Sequence, residues 1–159
     1  MNEAHERIAL YLADEANDEA VLAAARRIID RRFLRHGVIS NPEDAAEMFR
    51  TRLAGETREV MIVLYLDNMN QVLAVKEVSL GTLQSCTVHP RELAREALRF
   101  NAASIILAHN HPSGSSVPSI ADQALTDRVK QVLELIEVKV LDHLVIGATV
   151  TSMASRGML

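Results

Sequence analysis

A single cysteine, Cys86, is all the thiol chemistry this 159-residue chain holds. An intrachain disulfide is therefore excluded, and so is a cysteine-rich zinc site; any metal must be held by histidine and carboxylate. Long apolar runs are also missing, and none approaches the roughly 20 residues needed to cross a bilayer, so no membrane partner is expected. The opening residues, MNEAHERIALYLADEANDEA, have acids early and lack both a basic leader and a continuous apolar stretch. That is unlike a secretory signal, and a cytoplasmic location is expected. There is no basic excess either: the net charge is −4. A dedicated DNA-binding surface draws most of its affinity from phosphate contacts, so nucleic acid stands as a partner without support from charge. Neither GxGxxG nor a P-loop occurs, which leaves nucleotide binding without a motif. Internal repeats and low-complexity segments are absent as well.

What is present is an ordinary soluble composition, 48% hydrophobic and 24% charged, in a length that suits one domain with a single core. Helical spacing is read over residues 3–13 and 18–35, with Gly37 as a stop. The cluster Arg26, Arg27, Arg31, Arg32, Arg35 and His36 lies on the second of these helices, whose start is acidic. It reads as solvated charge complementing the helix dipole, with a nucleic-acid or partner contact as the other reading. Asn41, Pro42, Glu43 and Asp44 then open a helix to about Leu53. The period changes at Val60–Leu66, an almost wholly apolar run that reads as a buried strand. Turn residues 67–70 and a strand from Val72 to Val78 make a hairpin; Gly81 breaks it, and a third strand is expected over 82–88. A helix from Pro90 to about Asn101, a strand over Ser104–Ala108 and a long helix from Ser119 to about Ile136 follow. Strands over 138–141 and 144–146 come next, then a last short strand with a loose end. A hairpin among alternating helices and strands implies an α/β fold with a mixed sheet and flanking helices. Residues 1–40 are expected as a helical extension on a domain of residues 41–159.

The chemistry concentrates in His109-Asn110-His111-Pro112-Ser113-Gly114-Ser115-Ser116-Val117-Pro118-Ser119-Ile120-Ala121-Asp122. Side chains two apart on a strand share a face, so His109 and His111 point together. Pro112 and Gly114 turn the chain, and Ser119-x-x-Asp122 has the spacing of a capping box. Asp122 then lies in the first helical turn, close to the strand end that bears the histidines. Two imidazoles, one carboxylate and a fourth position left for water form the catalytic zinc arrangement.

This pattern of His-x-His, seven residues, Ser, two residues, Asp resembles the JAMM motif of the JAB/MPN metalloproteases. Residues 88–92, 108–114 and 141–143 are similar to one bacterial branch, the RadC-like proteins. The resemblance spans roughly residues 40–159 and implies a JAB/MPN fold, whose three-layer architecture is similar to that of cytidine deaminases. It also implies zinc held by His109, His111 and Asp122. The family places a catalytic glutamate just before its first core strand; here that is Glu59, with Glu56 as competitor and Glu77 further off. Branch members often carry a helix-hairpin-helix segment, for which residues 1–40 are too short, so a short form is expected.

The implied reaction is hydrolysis of a peptide or isopeptide bond in a protein or peptide substrate. Glu59 would take a proton from the attacking water, and Ser119 would offer its hydroxyl to the oxyanion. A DNA-repair or DNA-processing role is the alternative, from the label attached to RadC-like proteins. Nucleoside deamination would need His-x-Glu and Pro-Cys-x-x-Cys, and the chain has neither. Asp142-His143 reads either as a pair orienting a ligand or as a satisfied polar pair near a strand end. His89 precedes the Pro90 helix, and Cys86 reads as a small buried residue.

Overall fold

The structure, a computed structural model, describes residues 15–36, 38–80 and 88–159. The helix expected over residues 3–13, Gly37, Gly81 and Cys86 lie outside them; of the strand expected over 82–88 only Val88 is described, and it is not in a strand. In chain order the elements are α1 (Glu15–His36), α2 (Pro42–Leu53), β1 (Val60–Leu66), β2 (Val72–Leu80), α3 (Pro90–Phe100), β3 (Ser104–Asn110), α4 (Ile120–Glu134), β4 (Lys139–Ile146) and β5 (Val150–Ser152). No helix among the described residues is long and apolar enough to cross a membrane.

One five-stranded sheet has the order β2-β1-β3-β4-β5. β1 is antiparallel to both β2 and β3, and β4 is antiparallel to β5. Only β3 and β4 are parallel, and they need a crossover long enough to return the chain to the same edge. α4 is that crossover. The mixed α/β sheet with flanking helices matches the expectation.

The apolar run of β1 has its cause in the layers on either side. Val60, Ile62, Leu64 and Leu66 pack with Ala45, Met48, Phe49 and Leu53 of α2. The alternate residues Met61, Val63 and Tyr65 pack with Leu93 and Ala97 of α3 and Val129 and Leu133 of α4. Both faces of the strand are buried, so alternation of polar and apolar residues disappears. β3 follows the same rule, with Ile106 and Ala108 toward α2 and Ile105 and Leu107 toward α3 and α4.

Three strands differ from the sequence reading, and β2 does so by running on to Leu80. β3 continues to Asn110, because its parallel pairing with β4 extends to Asn110 opposite Ile146. β4 is one strand over 139–146 rather than two pieces. Its polar centre, Asp142-His143, is buried and hydrogen-bonded, and a register shift against Ile105/Ile106 leaves Leu141 as the extra residue of a bulge.

α1 meets the rest of the molecule through α2. The Arg26 guanidinium donates to the carbonyls of Thr51 (3.4 Å) and Ala54 (2.9 Å) at the C-terminal end of α2 and lies 3.8 Å from Glu56. A cation there complements the helix dipole. One member of the basic cluster is thereby engaged within the chain.

Candidate metal centre

His109 is the penultimate residue of β3 and takes the face that Leu107 takes, toward α4. His111 follows after one residue, its backbone N–H bonded to the Ile146 carbonyl at 2.8 Å, so the chain is still tied to β4 beyond the strand end. Asp122 comes from the first turn of α4. Ser119 is the N-cap of that helix, and the capping box is complete in both directions. Strand end, turn and cap thus bring together three side chains spread over fourteen residues.

The Nε2 atom of His109 lies 3.0 Å from Nε2 of His111 and 3.1 Å from Oδ1 of Asp122; His111 Nε2 lies 3.5 Å from Asp122 Oδ2. A four-coordinate ion with bonds of about 2.0–2.1 Å separates its donors by about 3.3 Å, so the spacing suits one ion. Among the described residues these three form the group that can hold a metal ion. His109 and Asp122 are buried, and His111 is partly open to solvent. The far side of His111 supports the same reading. Its Nδ1 is 3.0 Å from the Ser115 carbonyl, which can only accept, so Nδ1 carries the proton and Nε2 offers an electron pair inward.

Burial alone would raise the pKa of Asp122, but its setting beside the His109 ring and the bonds from Ser119 outweigh it. The carboxyl stays well below the usual carboxylate range. The Ser119 hydroxyl donates to Asp122 Oδ2 at 2.6 Å and accepts from the Asp122 N–H at 3.1 Å. Its proton is therefore engaged by the carboxylate, and serving an oxyanion requires that bond to open.

Of the three glutamates weighed as base, Glu59 stands two residues before Met61, which lies opposite His109 in the β1–β3 pairing. It is thus at the end of β1 nearest the three donors. The Glu56 carboxylate is beside Arg26, and Glu77 is on β2, with β1 between it and β3. Asn110, not singled out in the sequence, holds the Glu59 segment. Its Oδ1 accepts from the Val60 N–H at 2.8 Å, and its Nδ2 donates to the carbonyls of Arg58 at 2.9 Å and Glu56 at 3.4 Å.

Asp142 and His143 separate in role, as neighbours on a strand must. Asp142 accepts from Ser152 Oγ at 2.6 Å and from the Ala154 N–H at 3.0 Å, tying β4 to the turn after β5. His143 instead reaches the site, with Nε2 2.8 Å from His109 Nδ1 and Nδ1 2.6 Å from Thr126 Oγ1. Thr126, which the sequence reading passed over, is four residues after Asp122 and so one turn along the same helix face; that spacing is the signal that marks it. His89 occupies the N-cap of α3 without a side-chain capping bond.

The RadC-like JAB domain family matches residues 39–158. A UPF0758 protein of Vibrio cholerae is 42% identical over 148 residues, covering 93% of this chain and 94% of that protein. UPF0758 protein YkfG of Escherichia coli is 44% identical over 144 residues, 89% of this chain and 91% of its own length. UPF0758 protein plu4865 of Photorhabdus laumondii is longer: 43% identity over 149 residues covers 93% of this chain but 65% of that one. With the match extending from just before α2 through the last turn, the chain belongs to the RadC-like JAB domain family.

Proposed function

We propose that the protein is a zinc-dependent hydrolase that cleaves a peptide or isopeptide amide bond. The observation that carries this reading is the convergence of His109, His111 and Asp122 within bonding reach of a single ion. Two imidazoles and a carboxylate, with no thiolate, suit zinc, and three protein ligands leave a position open.

His109, His111 and Asp122 would hold zinc, which would supply a water acidified toward neutrality and a Lewis acid for the substrate carbonyl. Glu59 would take a proton from the attacking water and return it to the departing amine. Ser119 swings its Oγ–H from Asp122 Oδ2 to the developing oxyanion, a contribution of about 3 kcal/mol if it acts as other oxyanion donors do. Asp122 keeps its charge throughout, held by the Ser119 backbone N–H. The approach to the site favours an uncharged polymer over a polyanion. Residues 112–121 carry no charged side chain, and Val117 (62% exposed) and Ile120 (90% exposed) offer apolar surface on either side of Ser119.

Metal content of the purified protein, wild type beside His109→Ala, tests the proposal by mass spectrometry. About one zinc per chain in the wild type and little in the variant is the expected result. Failure of the wild type to take up zinc when it is supplied removes the hydrolase reading. A zinc-loaded protein is then assayed on peptide and isopeptide substrates.

A further inference from the structure

His143 has no exposed surface, and its two ring nitrogens are both engaged. The direction of each bond follows from one atom that has no choice. Thr126 Oγ1 lies 2.7 Å from the Asp122 carbonyl oxygen and 2.6 Å from His143 Nδ1. A carbonyl only accepts and a hydroxyl has one proton, so the Thr126 proton goes to the Asp122 carbonyl. Placed on His143 instead, it would leave two oxygen lone pairs facing each other at 2.7 Å. His143 Nδ1 must then donate to Thr126 Oγ1. The ring has no exposed surface and neither nitrogen faces a carboxylate, so nothing there offsets burial of a charge; the ring is neutral and Nε2 carries an electron pair. That pair is 2.8 Å from His109 Nδ1, which must donate to it. The remaining nitrogen of His109, Nε2, is left with an electron pair aimed at Asp122 and His111.

We propose that Thr126 and His143 are positioning residues that set the tautomer of His109, so that its Nε2 is a ready metal ligand before any metal arrives. The chain Asp122 C=O, Thr126, His143, His109 starts and ends on the donor group itself. The backbone of one ligand thereby dictates the proton position on another. His111 gets the same tautomer from the Ser115 carbonyl, so both imidazoles are fixed from behind by groups outside the metal's reach. Conserving this order matters because the opposite tautomer puts N–H where the ion must bind. This inference rests on the metal-site reading above.

The test combines zinc affinity, measured with zinc alone against a chromophoric chelator, and the histidine tautomers of the metal-free protein by nitrogen-15 NMR at mildly alkaline pH. Thr126→Val removes the hydroxyl at nearly constant shape, and Thr126→Ser restores it. His143→Leu removes the acceptor facing His109, and His143→Gln keeps one. Zinc affinity is expected to fall about 10–100-fold in the Val and Leu variants and to stay near wild type in the Ser and Gln variants. The His109 proton is expected on Nδ1 in the wild type and to redistribute to Nε2 in Thr126→Val. Folded Val and Leu variants with wild-type affinity overturn the proposal. If neither folds, the wild-type spectrum decides, because a proton on Nε2 of His109 overturns it equally. A wild type that binds no zinc but shows the Nδ1 tautomer defeats the metal site and not the hydrogen-bond chain.

Discussion

The side-chain amide of Asn110 stands in for a rung of the sheet: its Oδ1 receives the Val60 N–H at 2.8 Å where β1 begins. Its Nδ2 donates at the same time to the Arg58 carbonyl. One residue between the two histidines thus holds both backbone neighbours of Glu59. Asn110→Ala leaves the buried Val60 N–H without that partner and is expected to cost about 1–3 kcal/mol. Zinc affinity should stay close to wild type, since no donor is touched, while turnover falls. Loss of zinc binding without a change in turnover per bound zinc would show that Asn110 supports the histidines rather than Glu59.

Glu59→Gln keeps the shape of the side chain and removes the proton acceptor. Turnover is expected to drop about 10²–10⁴-fold with zinc content unchanged. Glu56→Gln is the control, because Glu56 is beside Arg26 and at the far end of the Asn110 clamp. If Glu56→Gln loses turnover and Glu59→Gln does not, the base is the wrong glutamate.

Gly147 is needed for closeness rather than for backbone freedom. A Cβ there would lie 2.4 Å from the Gly114 oxygen and 2.8 Å from the Ser115 oxygen, and both are backbone atoms that cannot turn away. The Gly114 oxygen accepts from the Ala148 N–H, and the Ser115 oxygen accepts from His111 Nδ1. Gly147→Ala must therefore push the loop after His111 off the β4–β5 turn. A loss of about 1–3 kcal/mol in thermal or urea unfolding is expected, together with weaker zinc binding. Unchanged zinc affinity would mean that the His111 ring keeps its place without the Ser115 carbonyl.

What the sequence makes legible here is what is local or doubly buried. β1 reads as a strand because both its faces are covered, and the three donors read as a group because they fall within fourteen residues and a strand–turn–helix order imposes their convergence. The Asn110 clamp acts across fifty residues, and His143 meets His109 across thirty-four, so no spacing announces either. β4 reads as two fragments because a polar pair in its centre breaks the apolar run. That pair is satisfied by residues of β5, the turn after it, α4 and β3, which tertiary structure supplies.

Tyr65 gives a prediction away from the site. Its ring is fully buried 5.4 Å from the Phe100 ring, and its hydroxyl has no hydrogen-bond partner among the described residues. Burial first, and then the charge of Glu96, raise its pKa above the usual tyrosine value. A raised folded-state pKa means that its contribution is fully present below about pH 10, where the unfolded chain's tyrosine is still protonated. As pH climbs past that point the unfolded state loses its proton first, and stability falls by up to about 1.4 kcal/mol per unit. Tyr65→Phe removes both the unpaired hydroxyl and this titration. Urea unfolding is expected to show the variant about 1 kcal/mol more stable at neutral pH, with the gap widening above pH ~10. A gap that stays constant with pH would mean that the hydroxyl ionises as readily in the folded protein as in the unfolded chain.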